Sequence, residues 1–167
     1  WPEADSNKID IDAEEQENLI TDIIEDTLNI LRATKITPKR ICFYTAAEWK
    51  WLIFQKILVK AAAGEAKINE IMRELASDPA TKPHMKEAAA MVPKVIKALT
   101  KLSTERKANL QKIGTVNEKD LIAGAFGFFK DRFGAEVSVY AENETDRYDP
   151  KQRAPMALPN QPAIYIE

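Results

Sequence analysis

The sequence predicts an α+β fold, several helices packed on a small three-stranded sheet, and three observations carry that reading. Short β-forming runs near 40–45, 135–141 and 163–166 supply the strands. Apolar residues at three- and four-residue steps fill most of the remaining chain, which is helical spacing. At 167 residues the chain has the size of one ordinary domain, large enough for a core.

Residues 1–11 carry no periodicity and are expected as an extended lead-in, with 12–167 forming the domain proper. Asp12 is a favoured N-cap, and Glu14, Glu15 and Glu17 suit the positive end of a helix. Leu19, Ile20, Ile23, Ile24, Leu28 and Leu31 then mark an amphipathic helix running to Ala33. After the turn-like Thr37-Pro38, the apolar run Ile41-Cys42-Phe43-Tyr44 reads as a buried strand. At Thr45 the pattern switches. Thr45-Ala46-Ala47-Glu48 fits a capping box, so a helix is expected from Ala46. It carries Trp49, Trp51, Leu52, Ile53, Phe54, Ile57, Leu58 and Val59, apolar on nearly every side and therefore expected to be buried on nearly every side. Gly64 is placed to end it in the left-handed conformation. This strand–helix pair is the expected centre of the fold.

Ile68, Ile71, Met72 and Leu75 mark a third helix, and Asp78-Pro79 reads as cap and first-turn proline of the next. That next element has its apolar set between Met85 and Leu99, with Pro93 inside it to bend or split it. Residues 101–116 fit a surface helix and a mobile connection equally. Asn117 caps a helix whose apolar set is Leu121, Ile122, Ala125, Phe126, Phe129 and Phe133. Gly124 and Gly127 there suggest close approach of another backbone, since each glycine costs a helix roughly 1 kcal/mol relative to Ala. Gly134 ends that helix. Val137, Val139 and Ala141 then alternate with Glu136, Ser138 and Tyr140, a strand with one buried side. Residues 142–162 form a long loop, and loops of that length in compact domains are usually functional or disordered. Ala163-Ile164-Tyr165-Ile166-Glu167 reads as the third strand.

Hydrophobic content of 45% and charged content of 30% are those of a soluble globular protein. No apolar run reaches the length of a membrane span, and the charged opening does not resemble a signal peptide. The chain begins with Trp1, not Met, which suggests a piece of something longer. Cys42 and His84 are each the only residue of their kind, too few for an internal disulfide or a structural zinc site. The formal charge of −2 is uneven: residues 1–33 hold ten acidic and two basic groups, a net of −8, and the rest carries a net of +6. A mildly basic body permits an anionic partner such as RNA without demanding one. Lys94, Lys97, Lys101, Arg106, Lys107 and Lys112 are the densest cations, and fit both a phosphate-contacting patch and an ordinary solvated face.

Nothing in the residues assembles a catalytic site. No glycine-rich phosphate loop occurs, His84 lies between Pro83 and Met85, and Cys42 in mid-strand reads as a core residue. The sequence argues for binding instead of catalysis.

Four stretches carry a resemblance: WPEAD at 1–5, ATKITPKRICFYTAAEWKW at 33–51, FGAEVSVYAE at 133–142 and RYDPKQRAPMALPNQPAIYIE at 147–167. Together they resemble the C-terminal region of archaeal-type leucyl-tRNA synthetases, over nearly the whole chain. The resemblance implies a class I leucine–tRNA ligase, an ATP- and magnesium-using enzyme of cytoplasmic translation. Its HIGH-like and KMSKS-like signatures, its editing domain and most of its anticodon-binding helical bundle are not in this sequence. The fragment is accordingly expected to be non-catalytic and to hold no cofactor, with ATP and magnesium used by the rest of the synthetase. Residues 1–11 would lead in from the helical bundle. The implied partner is the long variable arm of leucine tRNA, contacted by Ile164, Tyr165, Ile166 and Glu167, with Arg147, Lys151 and Arg153 on phosphates and Tyr148 able to stack. Glu167 makes sense there only as a reader of base amino groups, since it would repel phosphate. The other reading of the same tail is an edge strand that completes a sheet. The other reading of the whole chain is a protein-interaction module docking another translation factor.

Overall fold

The computed structural model of the protein describes residues 6–167, with side chains from Asp10 onward. In chain order the elements are α1 (Ser6–Thr34), β1 (Arg40–Thr45), α2 (Glu48–Ala62), α3 (Ile68–Ser77), α4 (Met85–Thr100), α5 (Thr104–Ile113), α6 (Glu118–Gly124), α7 (Phe126–Phe133), β2 (Glu136–Ala141) and β3 (Ala163–Ile166), with short 3-10 turns at Lys82–His84 and Ala154–Met156. The α+β class holds, and all three strands fall where the residue pattern puts them. The backbone forms two compact units: residues 12–47 with 116–167, and residues 48–115 with the helical residues up to Ile11.

Within the first of these, the sheet order is β2-β1-β3, with β1 in the centre. β1 runs parallel to β2, Ile41 opposite Val137 and Phe43 opposite Val139. It runs antiparallel to β3, Ile41 opposite Ile166 and Phe43 opposite Ile164. A parallel pair needs a long crossover, and residues 46–135 supply one. On one face, Ile41, Phe43, Val137, Val139, Ile164 and Ile166 pack with Leu19 and Ile23 of α1, Ile122 of α6 and Phe129 of α7. The Phe43 and Phe129 rings sit 5.2 Å apart between centroids. On the other face, Cys42, Tyr44, Tyr140, Ala163 and Tyr165 pack against Ala154 and Ala157 of the long loop. Apolar cover on both sides explains why β1 reads as an unbroken apolar run.

Several boundaries depart from the sequence reading. α1 starts at Ser6, so residues 6–11 of the expected extended lead-in are helical. Trp1–Asp5 lie outside the described residues. No Gly or Pro interrupts 6–34, and extending a nucleated helix is far easier than starting one, so Asp12 sits inside the helix instead of capping it. The Thr45 capping box does not form. Thr45 stays in the β1 ladder opposite Ala141, and the Glu142 carboxylate accepts the Ala47 N–H at 2.8 Å. The Asn117–Gly134 helix is two, broken at Ala125, with Asn117 Oδ1 accepting the Asp120 N–H at 3.2 Å as the expected cap. Gly124 and Gly127 approach nothing: a Cβ at either would meet open space among the described residues.

In the second unit, α2 buries Trp51, Ile53, Phe54, Ile57 and Leu58, and α3, α4 and α5 add Ile71, Leu75, Val92, Val95, Leu99 and Leu110. α2 is not covered all round, since Leu52 and Val59 are 48% and 57% exposed. It ends as expected: Gly64 has φ 74, its N–H reaches Ala61 O at 3.1 Å, and the Glu65 N–H reaches Lys60 O at 2.8 Å. Asp78 starts no helix. Its carboxylate takes the Ala80 N–H at 2.9 Å and pairs with Lys56, which holds its carboxyl below the ordinary range. α4 is one continuous helix through Pro93, and 104–113 is helical behind a Ser103 cap.

Candidate nucleic-acid interface

The site is built on β3, and its geometry comes from the pairing. The Arg40 N–H donates to Glu167 O and the Glu167 N–H to Arg40 O, both at 2.9 Å, so these two residues form a hydrogen-bonded antiparallel pair. Alternation along the ladder then turns the N–H and C=O of Ile164 and Ile166 away from β1, onto the outer edge of the sheet. Among the described residues nothing bonds those four groups. An unpaired strand edge is a template for hydrogen bonding.

The side chains of the expected tail separate onto two faces. Ile164 and Ile166 are half-buried against the helix-packed core, so they serve as core side chains and leave their backbone on the outer edge. Tyr165 and Glu167 stand on the opposite face. There the Tyr148 hydroxyl donates to Glu167 Oε2 at 2.9 Å and the Tyr165 hydroxyl to the same oxygen at 3.1 Å. Arg40 Nη1 lies 3.3 Å from Glu167 Oε1, and the Arg40 guanidinium sits over the Tyr148 ring, 4.9 Å from its centroid. The hydrogen bond to Glu167 raises the Tyr148 pKa, because a second anion beside that carboxylate is unfavourable. Burial, then the same carboxylate, raises that of Tyr165. A carboxylate has about four lone-pair sites, so three donors leave it able to accept another. The result is a small amphipathic patch of two phenols, a guanidinium and a carboxylate beside a bare strand edge.

The loop cations behave differently from one another. Arg147 is turned inward, its Nη1 donating to Glu144 O at 2.7 Å and its Nε 3.6 Å from Asp149 Oδ2, so it braces the loop. Lys151 is exposed, and Arg153 is exposed with the Met156 sulfur 3.9 Å from Nη1. The loop itself is ordered by its own turns. Asp149 accepts the Arg153 and Ala154 N–H groups at 2.7 and 3.0 Å, Gln152 takes φ 53, and the Tyr44 hydroxyl donates to Tyr148 O. Arg40 was not legible as a site residue, since only the β1–β3 register brings it to Glu167. Of the cations counted in 94–112, Lys94, Lys97, Lys101 and Lys112 are exposed on the second unit.

Cys42 is fully buried and burial raises its pKa, so it is a thiol, not a thiolate. His84 stacks on Trp49, with centroids 4.3 Å apart and planes within 5°. No helix among the described residues is long and apolar enough to cross a membrane.

These features define an α+β domain organised around an exposed edge strand with an aromatic and charged patch beside it. Along its whole length the chain is similar to the C-terminal part of archaeal leucine–tRNA ligases. It is 33% identical over 167 residues to the leucine–tRNA ligase of Methanococcoides burtonii, covering 100% of this chain and 17% of that protein. It is 30% identical to that of Pyrococcus abyssi, over all of this chain and 15% of the relative, and 30% identical to that of Methanocaldococcus jannaschii, over all of this chain and 16% of the relative. No family model matches. The chain thus spans about one-sixth of the length of these curated relatives, all ligases by name.

Proposed function

We propose that this chain is the tRNA-contacting appendix of a leucine–tRNA ligase and that it engages the long variable arm of leucine tRNA through the β3 edge. In this reading, charging with leucine, and the ATP and magnesium it uses, belong to the rest of the enzyme. The observation that carries the proposal is the outward backbone of Ile164 and Ile166 beside the Tyr148–Tyr165–Arg40–Glu167 patch. Unpaired loop bases are read by stacking and by hydrogen bonds to their Watson–Crick edges, and the patch offers both. The exposed Tyr148 ring and the Arg40 guanidinium over it suit stacking, while the strand edge and Glu167 offer donors and acceptors. Lys151 and Arg153, exposed on the adjoining loop, suit phosphates.

The test is equilibrium binding of the 167-residue chain to leucine tRNA and to the same tRNA with its variable arm removed. The armless tRNA is expected to bind at least about tenfold more weakly, a loss of roughly 1.4 kcal/mol, and equal affinities would overturn the proposal. A bare strand edge also suits an extended peptide, so docking of another translation factor is the second reading. Capture of such a factor that survives RNase, with no discrimination between the two tRNAs, would favour it.

A further inference from the structure

One buried carboxyl is bonded to the turn that leads into β3, and the role assigned to it rests on that proposed for β3. Glu118 opens α6 and is 2% exposed. Its Oε1 accepts the Asn160 N–H at 2.6 Å, whereas its Oε2 is buried without a hydrogen-bond partner among the described residues. Asn160 has φ 61 and lies beside Pro159 in a two-residue turn. The Leu158 N–H to Gln161 O bond at 3.0 Å and the Gln161 N–H to Leu158 O bond at 2.9 Å close that turn. Past Pro162 the chain enters β3.

The charged groups around Glu118 are committed elsewhere. On its own helix Lys119 pairs with Glu144, and Asp120 accepts from Asn117 Nδ2 at 2.7 Å. From the loop, Glu142 takes the Ala47 N–H and Arg147 donates to Glu144 O. From the sheet, Arg40 pairs with Glu167 and Glu136 is exposed, as are Lys130, Asp131 and Arg132 of α7. What acts on the carboxyl is its burial, opposed only by the Asn160 N–H, and the two together push it up to about 8.

We propose that Glu118 is a positioning residue: uncharged, it latches the Pro159–Asn160 turn and thereby sets β3, and in alkaline solution it gains a charge and releases both. A neutral carboxyl there leaves one O–H without an acceptor, a smaller cost than an unpaired charge. A carboxylate in the same place would be an ion with a single donor and one wholly unserved oxygen, which a dry interior does not tolerate. Water reaches it most directly if the turn lifts. The latch therefore couples the proton to the order of the strand that presents the edge.

The test is amide hydrogen exchange of the full 167-residue chain at about pH 6.5 and about pH 8.5, read at Asn160, Gln161 and Tyr165 and normalised to intrinsic rates. In the wild type, protection at these amides is expected to fall at least about tenfold at the higher pH, and in Glu118→Gln to stay constant. Equal behaviour of the two proteins would overturn the latch. A carbon-detected titration of the Glu118 carboxyl in the wild type needs no variant: an inflection near 8 is expected, and one near the ordinary 4.5 would overturn it. Leucine tRNA affinity over the same range separates the two proposals. Lost protection with unchanged affinity leaves the latch standing and counts against β3 as the interface.

Discussion

Phe129 has no exposed surface, and its ring lies 5.2 Å from that of Phe43 and 6.3 Å from that of Phe133. Cutting it to Ala leaves a cavity as well as losing burial, so Phe129→Ala is expected to destabilise the sheet-bearing unit by about 3–5 kcal/mol, measured by urea denaturation. Glu118 gives a signature of opposite kind. Its carboxyl sits near 4.5 when unfolded and is pushed up to about 8 when folded. The folded state therefore binds the extra proton, and this group's stabilising contribution is complete below 4.5, declines above it, and is gone above 8. Glu118→Gln removes that dependence, so the urea midpoint of the wild type should fall relative to the variant's as pH rises from about 5 to about 9. A constant difference would count against it. Neither the burial of Glu118 nor its partner was legible: a glutamate in the first turn of a helix reads as a solvent-facing complement to the dipole. Asn160 is 42 residues away. Cys42 was legible, because a small thiol in an apolar run has few other places to go.

At the scale of elements, alternation was the clearest signal. β2 reads as a strand because Val137 and Val139 face the core between polar neighbours, and the structure keeps that phase. Gly134, at φ 63 with its N–H on Lys130 O, ends α7 as its sequence position implies. Partners from far along the chain were not legible. The Glu142 carboxylate takes the Ala47 N–H where a local box was expected, and two ends of a hydrogen bond separated by 95 residues leave no local trace. Nor does local periodicity say which flank of an apolar helix stays wet, as Leu52 and Val59 of α2 do. Pro93 is exposed in a helix that continues past it and leaves one carbonyl without its donor. Pro93→Ala restores that donor and removes the ring's clash with the preceding turn. The four-helix unit should gain roughly 1–3 kcal/mol, read as a raised melting temperature; a lowered one would show that the packing depends on the proline's bend.

For the molecule as a whole, the resemblance to leucine–tRNA ligases, carried in the sequence by four stretches, extends along its full length in the relatives. The division into two units was not legible, because the segments that make the sheet-bearing unit, 12–47 and 116–167, are far apart in the chain and no linker-like composition marks their borders. That the tail is a strand was legible, but its division between core-facing isoleucines and an outward patch needed the register. Electrostatics supplies the prediction at this scale. Lys151 and Arg153 are exposed on the loop leading to β3, and replacing both with Ala should weaken tRNA binding and flatten its salt dependence. If each serves one phosphate, the slope of log affinity against log salt should fall by about 1.4–1.8. An unchanged slope would remove the loop from the phosphate path. Arg147→Ala, by contrast, should act through loop order, since that side chain already donates to Glu144 O.

The middle strand of the sheet is synthesised first, and both of its neighbours come last: Arg40 waits for Glu136, and Ile41 for Ile166. While residues 46–135 are being made, β1 has no strand to pair with on either flank, whereas the four helices between 48 and 115 already have their own apolar partners at hand. Folding of the sheet-bearing unit is therefore a late and non-local event, slow by virtue of its contact order. A nascent chain stalled anywhere before residue 136 should present Ile41–Tyr44 as a sticky ribbon for chaperones to shield.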